Sequence, residues 1–266
     1  MNEYGVDSLQ LSAGQLITQA QIDLINFLIL KAGVYSSLPS DVNTSRFWNQ
    51  TFTTFQYVQP SIRLMKDSGK PIGVFFFSYA WSYAAAEYEA QLACDAMDQW
   101  TEHCDWPIFI DWESTGRYSP AGAQGAYEAL VTAGITPTAS IGHDVVTAWM
   151  TVLRQRGYIP GLYTGGDLGR NLFGESWIQQ KRQEGLYYWE AAYNNTGPMQ
   201  SCDIWQKSDH GDLLGVRVDD DYVRDDRIWN IGPGPGPGPG PSSTIPIWLK
   251  LKMARSDQNA KCTILL

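Results

Sequence analysis

The chain has 266 residues, 44% hydrophobic and 18% charged, which suits one large globular domain with a sizeable core. Its formal net charge is −9 with only 19 Lys and Arg, so no nucleic-acid or anionic-membrane partner is expected, because both reward clustered positive charge. No apolar run is long enough to span a bilayer, and the N-terminus lacks the basic and apolar regions of a secretory signal. Any substrate outside the cell is then expected to be reached by another route.

In chain order, Tyr4 to Leu9 and Asn26 to Ala32 read as strands, with a short helix from Thr18 to Leu24 between them. The continuous apolar run Ile72 to Tyr79 predicts a strand buried on both faces. Tyr88, Leu92, Ala96 and Trp100 recur every fourth residue and predict a helix. Pro107 to Trp112 is the next buried strand, followed by helices over Ala121 to Ala133 and Asp144 to Arg156, with His143 at the start of the second. Later strands fall at Tyr158 to Thr164, Leu186 to Tyr193, Asp203 to Gln206 and Val216 to Tyr222, and His210 falls in a polar loop. Such alternation predicts a parallel β/α barrel, irregular towards its end where strong helices are missing.

Met1 to Ile231 therefore reads as one domain. Gly232 to Pro241 is five Gly-Pro pairs, a semi-stiff extended spacer. Ser242 to Leu266 is a short tail, and its stretch Ile245 to Met253 partly alternates apolar and basic residues like an edge strand seeking a partner.

Several chemistries are disfavoured, and no cofactor or metal is expected. The four cysteines (Cys94, Cys104, Cys202, Cys262) form no C-x-x-C pair and read as reduced thiols. There are three His and no H-E-x-x-H, no G-x-S-x-G elbow and no phosphate-binding loop. The sequons at Asn43, Asn49 and Asn194 are coincidental without a secretory route. The 11 Trp and 14 Tyr suit either a large core or sugar-stacking platforms, and composition does not choose between them.

A β/α barrel works at the carboxyl ends of its strands. Asp7, Asp111, Glu113 and Asp219 fall at strand ends or on the last strand. In Asp111-Trp112-Glu113 the two acids lie two residues apart, so both face one side of a strand. Paired carboxyls do not ionise independently: one keeps its proton near neutral pH while the other stays charged. Glycoside hydrolysis needs that pair, an acid for the leaving oxygen and an anion for the developing positive charge.

These motifs, in this order, resemble the glycoside hydrolase family 25 lysozymes. Gly5-Val6-Asp7-Ser8 resembles the family's first strand, and Phe27 to Ala32 its F-V-I-I-K-A strand. Gly73 to Ser78 sits where the family has G-a-Y-H-F-S, and Asp111-Trp112-Glu113 matches its D-x-E. Gly161 to Thr164, Trp189 to Tyr193, Ile204-Trp205-Gln206 and Val218-Asp219 resemble the later I-Y-T, W-x-A-x-Y, W-Q and V-D elements.

The resemblance implies an irregular TIM-like barrel of five β/α units followed by three strands. It further implies cleavage of bacterial peptidoglycan between N-acetylmuramic acid and N-acetylglucosamine. On that footing Glu113 is the general acid, and Asp111 supports the positive intermediate, if need be through the substrate's N-acetyl group. Asp7 and Asp219 flank and tune the pair. Phe77, Tyr163, Trp189, Tyr193 and Trp205 line the sugar sites.

Three departures stand out: Phe75-Phe76 replaces the family's Tyr-His, Gln10 takes the place of Gln-Gly, and Asp221 replaces the closing Asn. The spacer, the short tail and the lack of a visible signal point to a phage product. It would be either an endolysin released from the host or a virion tail lysin whose C-terminal tail docks on a neighbouring virion protein. Two other readings stay open: a glycan-binding or structural module on the same barrel that does not cut, and a hydrolase of another polysaccharide.

Overall fold

A computed structural model describes residues 3–8, 16–35, 52–114, 125–193 and 197–231. The strand β1 (Tyr4–Ser8) leads to helix α1 (Gln19–Asp23), β2 (Phe27–Tyr35), β3 (Phe52–Thr54) and α2 (Val58–Asp67). Then follow β4 (Ile72–Phe77), α3 (Tyr83–Met97), β5 (Ile108–Asp111), α4 (Ala126–Thr132) and α5 (Ala139–Gln155). The chain closes with β6 (Pro160–Gly165), the single turn α6 (Gly166–Leu168), a π-helical turn over Gly169–Phe173, α7 (Glu175–Gln183), β7 (Tyr187–Ala191), β8 (Ile204–Leu213) and β9 (Val216–Val223).

Strands β1, β2, β4, β5, β6, β7 and β8 pair in parallel in that order, and β9 lies antiparallel between β8 and β1. The result is a closed eight-stranded mixed barrel, with β3 added antiparallel to the far end of β2. Five β/α units are followed by three strands, as the resemblance implied. A helix is not needed between β8 and β9 because antiparallel neighbours join by a tight turn. That turn places Leu214 at φ 55° and Gly215 at φ 81°.

Strand alternation sorts the side chains into two cores. Outward residues such as Val74, Phe76, Ile108, Ile110 and Leu162 pack under the helices. Inward residues Phe27, Ile29, Phe75, Trp106, Phe109, Trp189, Ile204 and Val223 fill the barrel. Two glycines make room for these rings. A Cβ at Gly5 would lie 2.4 Å from the Phe27 ring, and one at Gly161 would lie 2.3 Å from Phe109.

At the base, a 3₁₀ turn at Asp226–Ile228 tucks Ile228 and Trp229 under the barrel. It is tied by Asp203, which accepts from Arg227 Nη2 (2.6 Å) and Arg182 Nη2 (2.7 Å).

Some expectations change. Helix α2 was unforeseen because Pro60 stands in its first turn, where a missing N–H costs nothing. Helix α7 is polar, with Ile178 its one buried side chain, so it shows little periodicity. The buried face of α3 is the small-residue set Ala86, Ala90, Ala93, Cys94 and Met97, with Tyr88, Leu92 and Ala96 on its flank. Helix α5 begins at Ala139 behind the Thr138 cap, so His143 lies inside it. His210 lies on β8, which runs on as a long ribbon with β9.

Cys94, Cys104 and Cys202 are free thiols. The Gly-Pro spacer, the tail with Cys262, Gln10, the sequons and the stretch 121–124 lie outside the described residues. No helix among the described residues is long and apolar enough to cross a membrane.

Candidate active site

The carboxyl ends of the parallel strands form one mouth, and the inward parity of each strand decides what lines it. Asp7 on β1 pairs in register with Asp219 on β9, and Asp221 follows two residues later on the same face. Asp111 ends β5, between Phe77 of β4 and Tyr163 of β6. Trp112 turns outward into the core, where its Nε1 donates to the Ala80 carbonyl at 2.9 Å. That anchor leaves Asp111 and Glu113 on the opposite, inner side. Asp7, Asp111, Glu113 and Asp219 are thereby gathered at one mouth.

Asp7, Asp111 and Asp221 are buried and Glu113 and Asp219 half-buried, and each is raised by burial first. Glu113 is pushed up to about 7; Lys31 opposes the rise, while Glu128 and Asp219 add to it. Asp111 stands well above the ordinary carboxylate range, raised also by Glu113 and Asp7 and lowered by Lys31. Asp219 rises to about 9 beside Asp7, and both Asp7 and Asp221 are raised well above their usual value. Asp111 Oδ1 is buried and has no hydrogen-bond donor among the described residues.

Gln206 ties the mouth together. Its Nε2 donates to Asp7 Oδ2 (2.6 Å) and Asp219 Oδ2 (3.2 Å). Its Oε1 accepts from the hydroxyls of Tyr163 (2.9 Å) and Tyr193 (2.5 Å). The sequence places Gln206 in a motif but gives it no role. The inward position of Ile204, two residues before it, is the signal that would have found it.

The aromatic assignments divide. Tyr163 forms part of the wall, and Tyr193 stands at the rim, 55% exposed, with its hydroxyl turned in to Gln206. Phe77 lines the mouth at 9% exposure beside Lys31. Trp189 is the floor: it is buried, and its Nε1 donates to Asp221 Oδ1 at 2.8 Å.

Trp205 is not in the cleft. Since Gln206 points in, Trp205 points out, where its Nε1 donates to the Ala192 carbonyl at 2.9 Å and Lys207 and Arg224 cover its ring. The Phe75-Phe76 departure likewise touches the interior through Phe75 alone, because Phe76 faces outward to Trp149. Two residues without an assigned role also belong here: Lys31 on β2, and Glu128 on α4, whose carboxylate bonds the Ser114 hydroxyl.

Among the described residues no group of three or more His, Cys, Asp or Glu is arranged to hold a metal ion. A cavity of about 380 Å³ between Lys66, Lys70, Asp105, Trp106, Trp229 and Ile231 opens at the base, at the far end from the carboxyls.

A closed barrel with an aromatic floor and its titratable acids at one mouth has the form of a glycoside hydrolase. Residues 48–216 match the model of the family described as Glycosyl hydrolases family 25. The chain belongs to this family. The matched span contains Asp111 and Glu113 and stops short of Asp219. No curated protein sequence matches the chain.

Solved structures share the fold. The modular autolysin LytC from Streptococcus pneumoniae aligns at TM-score 0.60 and 16% identity over 84% of this chain and 47% of that one. The bacterial lysozyme from Streptomyces coelicolor aligns at 0.53 and 16% over 87% and 97%. The catalytic domain of endolysin ply40 from bacteriophage P40 of Listeria monocytogenes aligns at 0.54 and 14% over 87% and 97%. The chain thus spans about half the length of the modular autolysin.

Proposed function

We propose that the protein hydrolyses the glycan strand of bacterial peptidoglycan at the β-1,4 bond between N-acetylmuramic acid and N-acetylglucosamine. The observation that carries this reading is the Asp111–Glu113 pair, turned into one mouth by the outward anchor of Trp112, with both members raised above the ordinary carboxylate range. Glu113 gives its proton to the glycosidic oxygen as the bond breaks. With the pair's one proton on Glu113, Asp111 supplies the negative charge opposite the oxocarbenium-like centre, directly or through the substrate's N-acetyl group. Asp7 and Asp219, locked to Gln206, shape the far wall, and Tyr163, Tyr193 and Phe77 present rings to the sugars.

A peptidoglycan ligand bound to the LytC autolysin and the lysozyme and endolysin names of similar structures support this substrate. The same endolysin likeness supports a phage lysin, released from the host or carried on a virion tail, as its biological setting.

The test is digestion of purified peptidoglycan by wild type and Glu113→Gln, with mass spectrometry of the released ends. Reducing N-acetylmuramic acid ends that the mutant fails to produce are the expected result. Binding without cleavage by the wild type would overturn the assignment in favour of a non-cutting glycan module.

A further inference from the structure

Lys31 is the cation that acts on both catalytic carboxyls. It occupies an inward position on β2, paired in register with Phe75 of β4. Its Nζ lies 5.0 Å from the centre of the Phe77 ring and 5.9 Å from that of Phe75. A lysine ammonium over phenyl faces is held by the ring quadrupole, and more firmly where water is excluded. Lys31 makes no direct ion pair among the described residues, yet both Asp111 and Glu113 feel its charge. Phe77 pairs in register with Asp111, so the rings seat the ammonium on the side of the strand end that carries the pair.

The surroundings give that charge a task. Asp7 from β1, Asp219 from β9 and Glu128 from α4 stand around the pair, with Tyr79 beyond β4 and Tyr163 on β6. Asp7 favours a proton on Asp111, Glu128 and Asp219 favour one on Glu113, and the neutral tyrosines offer no counter-charge. A doubly protonated pair has no anion to support the reaction.

Resting on the assignment of Asp111 and Glu113 above, we propose that Lys31 is a positioning residue whose ammonium, seated on Phe75 and Phe77, keeps the Asp111–Glu113 pair at one shared proton. Coupled carboxyls titrate as a pair, so removing Lys31 acts on both steps.

The test is a ¹³C-carboxyl NMR titration of wild type, Lys31→Met and Lys31→Arg, run beside pH–rate profiles on peptidoglycan. In Lys31→Met both steps of the pair move to higher pH by about one pH unit, the scale of losing one opposite charge a few ångströms away. Both limbs of the rate profile move with them, and Lys31→Arg keeps both near their wild-type positions. A side chain that only fills space would lower the rate and leave the limbs in place. Should Lys31→Met not fold, Lys31→Gln makes the same neutralisation with a polar tip.

Unchanged titration in the neutral variants overturns the proposal and leaves the enzyme assignment intact. The expected titration, in a wild type that cuts no peptidoglycan, supports the role of Lys31 and overturns the substrate assignment instead.

Discussion

As the proposed general acid Glu113 must carry a proton when it meets the glycosidic oxygen, and with its pKa pushed up to about 7 the acid form is lost as pH rises through neutrality. Cleavage is therefore expected to peak on the acid side of pH 7 and to decline above it, measured as kcat/KM for soluble glycan fragments. Glu113→Gln keeps the shape and removes the proton, and a loss of roughly 10²–10⁴-fold in kcat is expected. Gln206 tests the opposite wall. Gln206→Leu leaves two carboxyls and two hydroxyls without their shared partner. Unsatisfied buried groups cost about 1–3 kcal/mol each, so denaturant unfolding should show a loss at the upper end of that range or beyond.

Each strand of this barrel is a parity rule, and the rule explains which parts of the site could be read in advance. The shared placement of Asp111 and Glu113 was legible because the two lie at one strand end, two residues apart, after an apolar run that cannot face water. Trp205 was misplaced because the aromatic residue drew attention when its neighbour Gln206 held the inward position. Lys31, Gln206 and Glu128 reach the mouth through strands and helices brought together by barrel closure, which no local spacing reports. The barrel itself was legible from alternating apolar runs, whereas α7 was not, having one buried side chain. Parity also predicts a steric limit. A methyl at Gly161 meets the Phe109 ring at 2.3 Å, so Gly161→Ala should cost about 1–3 kcal/mol by overpacking. Equilibrium denaturation measures that loss, and an unchanged midpoint would contradict the placement of Phe109.

On the scale of the whole molecule, the acidic mouth makes stability depend on pH. Asp7, Asp111, Glu113, Asp219 and Asp221 all have folded-state values above their usual ones, so the folded protein binds more protons than the unfolded chain. Their contribution is full below the ordinary carboxylate range and is lost as pH rises through the folded values, about 7 for Glu113 and about 9 for Asp219. Tm should fall between pH 5 and pH 9, and Asp219→Asn should flatten the upper part of that slope. The base works independently of this. Arg227→Ala strips Asp203, whose side chain has no exposure, of one of its two arginines. Asp203 keeps Arg182, so the loss is expected to stay below the roughly 3–5 kcal/mol of a buried charge left without a partner, seen as a lower Tm with kcat unchanged at temperatures where the variant is folded. Ile231 packs at this base, across the height of the barrel from Asp111. The last described residue thus lies at the end of the barrel opposite the carboxyls, so the open mouth and the exit of the described chain are kept a full barrel height apart.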